Sequence, residues 1–152
     1  DPDYMDVRFN KKNGGLKASH IGHNFDKIGG VYEKQVQNAG FISGHKVIFG
    51  NEKNGGSKER FTEGTWDNKQ FEVAGRETAT ENNILKGLKH CASKRTTQIA
   101  VLDFPNGKFS QEIIKEALKR FNGLEKLKDG QYLKFEKIIC VQNETIVFEI
   151  DL

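Results

Sequence analysis

Apolar blocks of helix or strand length alternate along the chain with polar, glycine-bearing gaps. Positions 1–29 are mostly polar and carry Asn13-Gly14-Gly15 and Gly29-Gly30, which reads as an arm or loop with one short strand. Over positions 31–41, Val31, Tyr32, Val36 and Ala39 are spaced by Glu33, Lys34, Gln35, Gln37 and Asn38. That spacing predicts a short amphipathic helix ended by Gly40 or Gly44. His45-Lys46-Val47-Ile48-Phe49 predicts a buried strand, and 51–60, with Gly55-Gly56-Ser57, a basic loop. Positions 59–65 and 69–74 predict two strands joined through Trp66-Asp67-Asn68-Lys69, because Asp and Asn tolerate the dihedrals of a tight hairpin.

Thr80 is placed to cap a helix through Ser93 whose apolar stripe is Ile84, Leu85, Leu88, Cys91 and Ala92. Positions 98–104 form an apolar strand of the kind covered on both faces. After the turn Pro105-Asn106-Gly107, Ser110 caps a second helix, with Ile113, Ile114, Ala117, Leu118 and Phe121 inward and Asn122-Gly123 as its stop. Positions 135–141 and 145–150 predict a hairpin around Asn143-Glu144. The order from residue 30 onward is α-β-β-β-α-β-α-β-β, for which an α/β fold with a mixed sheet flanked by helices is the economical solution.

A length of 152 residues allows one domain with a short arm: an arm over 1–29 and a single domain over 30–152. Charged residues make up 30%, but eleven Phe still supply a core. No run approaches the roughly 18 apolar residues of a membrane span. The acidic Asp1-Pro2-Asp3 start reads as a cut point in a longer chain, of which the resemblance described below makes this the C-terminal part. A net charge of +3 favours an anionic partner. Cys91 and Cys140 read as reduced, buried thiols.

Three groups of residues can carry chemistry. Glu63 and Glu72 flank the predicted hairpin, and Glu72 sits between Phe71 and Val73 on an apolar strand. A buried carboxylate is costly without a cation, and a hard divalent ion held by both acids is one such cation. An outward Glu72 paired with Lys69 is the plainer alternative. On the next helix, Asn83, Lys86 and His90 share a side and suit phosphate binding or proton transfer, although a solvated helix face needs no function. The His20-x-x-His23 loop with Asp26 offers metal ligands or an acid/base pair, or is local structure. Lys53, Lys58 and Arg60 on the basic loop, and Arg76 after the strand of Glu72, can touch a phosphate backbone. Trp66 either stacks on a base or anchors its turn in the core.

Residues 63–118 resemble the C-terminal nuclease domains of bacterial polymorphic and contact-dependent inhibition toxins, and related tail domains of phage minor head proteins. Glu63 stands where that family has its first acid, and Glu72 where it has the Glu of Glu-x-Lys on a strand. The helix of 80–91, the strand of 99–103 and the helix of 110–121 follow in the family's order, and a leading helix with Glu33 also fits. The resemblance implies a restriction-endonuclease-like fold of PD-(D/E)xK type. It implies a metal-dependent endonuclease acting on tRNA or DNA, with Glu63 and Glu72 on Mg²⁺, or on Zn²⁺ or Mn²⁺. It further implies a toxin effector or phage-linked enzyme that acts in a bacterial cytoplasm and has an immunity protein as partner. Glu63 and Glu72 would then be catalytic; from the residue reading, Lys86 and His90 join them, and His20, His23, Lys58, Arg60, Arg76 and Asn83 would bind substrate. Ala74 departs from the pattern by replacing the catalytic Lys, so either Lys86 or Arg76 substitutes or the domain is a non-catalytic binding module. A metal-independent RNase of barnase, EndoU or RelE type, using His20, His23 or His90, is the other enzymatic reading.

Overall fold

In the computed structural model, which describes residues 2–25, 29–51, 62–94, 96–127 and 135–152, each strand lies beside its neighbour in sequence. The elements are β1 (Tyr4–Phe9), β2 (Leu16–His20), α1 (Gly29–Ile42), β3 (Lys46–Phe49), β4 (Gly64–Trp66) and β5 (Lys69–Gly75). They continue as α2 (Glu81–Ser93), β6 (Ile99–Asp103), α3 (Gln111–Leu127), β7 (Lys137–Gln142) and β8 (Thr145–Asp151). The sheet is mixed. β1–β2, the meander β3–β4–β5 and β7–β8 are antiparallel. The pairs β2–β3, β5–β6 and β6–β7 are parallel, and each is bridged by a helix.

Strand alternation divides the core into two layers. Phe71, Val73, Ile99, Val101, Ile139 and Val141 pack under Val36 and Ala39 of α1. Ala74, Ala100, Leu102, Ile138 and Cys140 pack under α2 and α3, against Ile84, Leu88, Ile114 and Phe121. The mixed α/β sheet expected from the pattern is therefore present, as is the order α-β-β-β-α-β-α-β-β from α1 onward. Asp67 and Asn68, at φ of 49° and 68°, close the β4–β5 hairpin, and Asn143 and Glu144, at 52° and 59°, close β7–β8. The Thr80 side chain accepts from the Asn83 N–H and caps α2.

The structure corrects three expectations and decides one alternative. The N-terminal arm supplies two strands, not one, and β2 joins the main sheet through β3. Asn122-Gly123 does not stop α3, which runs to Leu127; Gly123 is exposed, while buried Phe121 and half-buried Leu124 carry the helix past it. Of the two roles open to Trp66, the core one holds: it is 1% exposed and anchors the hairpin. The inward face of α1 is the expected one at Val36, Ala39 and Tyr32 but not at Val31, which is 55% exposed, and Glu33 and Gln37 join it as buried polar residues. Glu33, Val36, Gln37 and Gly40 follow the i, i+3, i+4, i+7 rule, so they share the side that faces the sheet. Gly40 makes this approach close, since a Cβ there would lie 2.5 Å from Val47 Cγ2 and 2.8 Å from Trp66 Cη2. The predicted basic loop, with Lys53, Lys58 and Arg60, lies outside the described residues, as does Asp26.

Candidate metal centre

β2 ends at His20, and a tight turn follows. The His20 ring Nδ1 accepts from the Gly22 N–H at 2.9 Å, and the His20 carbonyl accepts from the His23 N–H at 2.9 Å. This turn carries the His23 ring inward, where it stacks on Phe49 at 4.6 Å and meets Phe25 edge-on at 4.5 Å. The His23 side chain is fully buried. Its Nδ1 lies 3.2 Å from the Gly50 carbonyl oxygen. A carbonyl only accepts, so the proton is assigned to Nδ1, and Nε2 points the other way.

Nε2 faces two carboxylates: Glu33 Oε1 from α1 at 3.2 Å, and Glu63 Oε2 from the residue before β4 at 3.4 Å. The ligand atoms of His23, Glu33 and Glu63 all lie within 4.8 Å of one another. Gly64, next to Glu63, allows the close β3–β4 approach, because a Cβ there would sit 1.9 Å from the Ile48 carbonyl oxygen. One imidazole and two carboxylates suit Zn²⁺, Mn²⁺ or a harder divalent ion. With bonds near 2.1 Å, neighbouring ligand atoms stand about 3.0–3.4 Å apart, and the two observed spacings match. Were the imidazole protonated instead, the same geometry would be a buried His–Glu–Glu ion triad.

Glu72 occupies the opposite face. Alternation along β5 sends Phe71 and Val73 toward α1, and Glu72 and Ala74 toward α2. Glu72 Oε1 accepts the Glu63 N–H at 3.0 Å, and Oε2 lies 3.1 Å from His90 Nε2. Burial raises the Glu72 carboxyl above the usual range; His90, then Lys94, then the Glu63 N–H pull it back. The Cys91 thiol donates to the Glu72 carbonyl at 3.6 Å, and burial, followed by the Glu72 charge, lifts its pKa well above normal. Cys91 and Cys140 are free and buried, as expected.

Glu63 and Glu72 are thus joined through a backbone amide, and the three-residue ligand group takes in Glu63 without Glu72. Glu63 gives its amide to Glu72 and its carboxylate to the centre, while Glu72 stands outside the ligand group. A Lys in place of Ala74 would point toward α2, away from that centre. Lys86 is exposed on α2, and the charges acting on Glu72 come from His90 and Lys94. Arg76 is exposed after β5, with its backbone N–H on the Asp103 carbonyl. Asn83 donates its side chain to the Thr78 carbonyl at 2.9 Å and so serves the start of α2. Of the His20-x-x-His23 pair, His23 alone enters the centre, and the His20 ring packs edge-on against Tyr4. Lys58 and Arg60 lie outside the described residues.

Two residues escaped the reading of the sequence by chemistry. Glu33 had a signal: polar residues four apart, Glu33 and Gln37, on a helix with few other inward side chains. Asp103 closes the apolar strand β6 and is 0% exposed. Neither of its carboxyl oxygens has a hydrogen-bond partner among the described residues. Burial, followed by the charge of Glu144, raises its pKa to about 7.

Comparison with protein-family models, with curated proteins and with solved structures finds no match. Among the described residues no helix is long and apolar enough to cross a membrane.

Proposed function

We propose that the chain is a divalent-metal-dependent endonuclease that hydrolyses phosphodiester bonds of tRNA or DNA. The observation that carries this reading is the convergence of His23, Glu33 and Glu63 within 4.8 Å. The succession α1-β3-β4-β5-α2-β6 supports it, because it is the helix–three-strand–helix–strand order expected of a restriction-endonuclease-like core. Glu33 on the leading helix and Glu63 ahead of the second meander strand fall where the toxin-nuclease resemblance puts acids.

A divalent ion in such a centre supplies a Lewis acid for a phosphoryl oxygen and a water of lowered pKa. The chain's own residues supply order. The Gly50 carbonyl and the Phe49 ring fix the tautomer and plane of His23. Helix α1 aims Glu33. Glu72 is a positioning residue: its Oε1 holds the Glu63 amide, and its Oε2 is held by His90. Toxin delivery or phage carriage, and an immunity partner, belong to the same proposal.

The test is incubation with total tRNA and plasmid DNA in Mg²⁺, Mn²⁺, Zn²⁺ or EDTA. Cutting only with metal is the expected result. Cutting in EDTA would favour the metal-independent RNase, which the half-exposed His90 on buried Glu72 makes the second reading. Absence of cutting under every condition would remove the enzyme.

A further inference from the structure

A groove lies between the β1–β2 hairpin and α1, with a cavity of about 360 Å³. Among the described residues, Arg8, Lys17 and Lys34 line it together with one acid, Asp6. Its floor is polar and firm: buried Gln37 donates to the Ala18 carbonyl at 3.0 Å and to the Ser19 hydroxyl at 3.3 Å. The cations are held in place by aromatic faces. Arg8 Cζ and Lys17 Nζ lie 5.4 and 5.5 Å from the centre of the Phe41 ring, and Lys34 Nζ lies 5.0 Å from that of Phe25. Lys17 Nζ also donates to Asn38 Oδ1 at 2.8 Å. Among the described residues, none of the three cations is in an ion pair.

Gathering three cations costs repulsion that an incoming anion relieves. The groove also abuts the metal centre. Phe25 lines it and packs on the His23 ring at 4.5 Å, and Gln37 lies one helical turn, about 5.4 Å, beyond Glu33 on the same side of α1. We infer that this groove binds a phosphate group, with Arg8, Lys17 and Lys34 as its ligands, and so lays a nucleic-acid backbone beside His23, Glu33 and Glu63. The identity of the phosphate's carrier rests on the nuclease reading; the phosphate site does not. The three cations come from the two strands of one hairpin and the helix that follows it: Arg8 on β1, Lys17 on β2 and Lys34 on α1.

The test is fluorescence anisotropy with a short labelled single-stranded DNA or RNA in EDTA, with inorganic phosphate and a mononucleotide as competitors. The variant Arg8→Gln/Lys17→Gln/Lys34→Gln should bind at least about tenfold more weakly. It should also lose about 2 from the log–log salt slope, at about 0.7 per contact on a single strand. A Lys115→Gln/Lys119→Gln control on exposed positions of α3 should bind like the wild type. Circular dichroism melting should show the groove variant folded; if it is not, the three single substitutions carry the test. Competition by phosphate or mononucleotide would show that one phosphate suffices, and competition by oligonucleotide alone that a strand is required; either supports the site. Unchanged affinity and slope in the folded variants, or no binding by the wild type, would overturn it. Because no metal or cutting is needed, failure of the nuclease reading leaves this result standing, and the reverse also holds.

Discussion

Glu33→Gln is expected to lower divalent-metal affinity by at least about 100-fold and to abolish metal-dependent cutting. Loss of a partner that merely orients a ligand costs about 10- to 100-fold, and Glu33 presents its own oxygen to the centre, 3.2 Å from His23 Nε2. The amide keeps the side chain's size, so α1 can still pack through Val36, Ala39 and the close contact at Gly40. Calorimetric titration with Mn²⁺ reads the affinity, and thermal melting in EDTA separates ligand loss from unfolding. Melting also gives a second readout: an ion at 100 times its dissociation constant stabilises the wild type by about 2.7 kcal/mol. That gain should fall to about 0.4 kcal/mol or less in the variant. An unchanged titration would remove Glu33 from the centre.

The second large effect concerns Asp103, which ends β6 with its backbone between those of Gly75 and Val141 and its side chain buried. Its pKa is about 7 in the folded chain, raised by burial and then by Glu144, against 3.8 for the ordinary group. Between those values the folded state keeps a proton that the unfolded state has released. Stability from this group is therefore full below about pH 4, is lost as pH rises to about 7, and is flat above that. A gap of about three units, at about 1.4 kcal/mol each, sets the loss on the order of 4 kcal/mol. Asp103→Asn removes the titration, so urea unfolding at about pH 5 and about pH 8 should show a fall for wild type that the variant largely lacks. Glu72 is also raised and acts in the same direction, but it is present in both proteins and cancels. Parallel pH profiles would show that Asp103 is already charged near neutrality.

Local signals carried much of the fold. Asp67-Asn68 and Asn143-Glu144 adopt the positive φ that two-residue hairpins need, and Thr80 caps its helix. The apolar run at Ile99–Asp103 is buried on both faces. What failed was long-range. β2 is stabilised by parallel pairing with β3 across a helix, which polar composition near Gly14-Gly15 hides. The stop at Asn122-Gly123 was overridden by the packing of Phe121 and Leu124. The centre was legible in pieces: Glu63 and His23 stood out as chemistry, and Glu33 as part of a leading helix. Their convergence was not, because it depends on which face of the sheet each side chain takes. Glu72 has the burial expected of a metal ligand, yet its position next to Phe71 turns it to α2, where His90 meets it.

The most direct measurement is an anomalous difference map from crystals grown or soaked with Mn²⁺. One peak bounded by His23 Nε2, Glu33 Oε1 and Glu63 Oε2 is the expected result. A map empty at that point under saturating Mn²⁺, or a peak only between Glu72 and His90, would contradict the assignment.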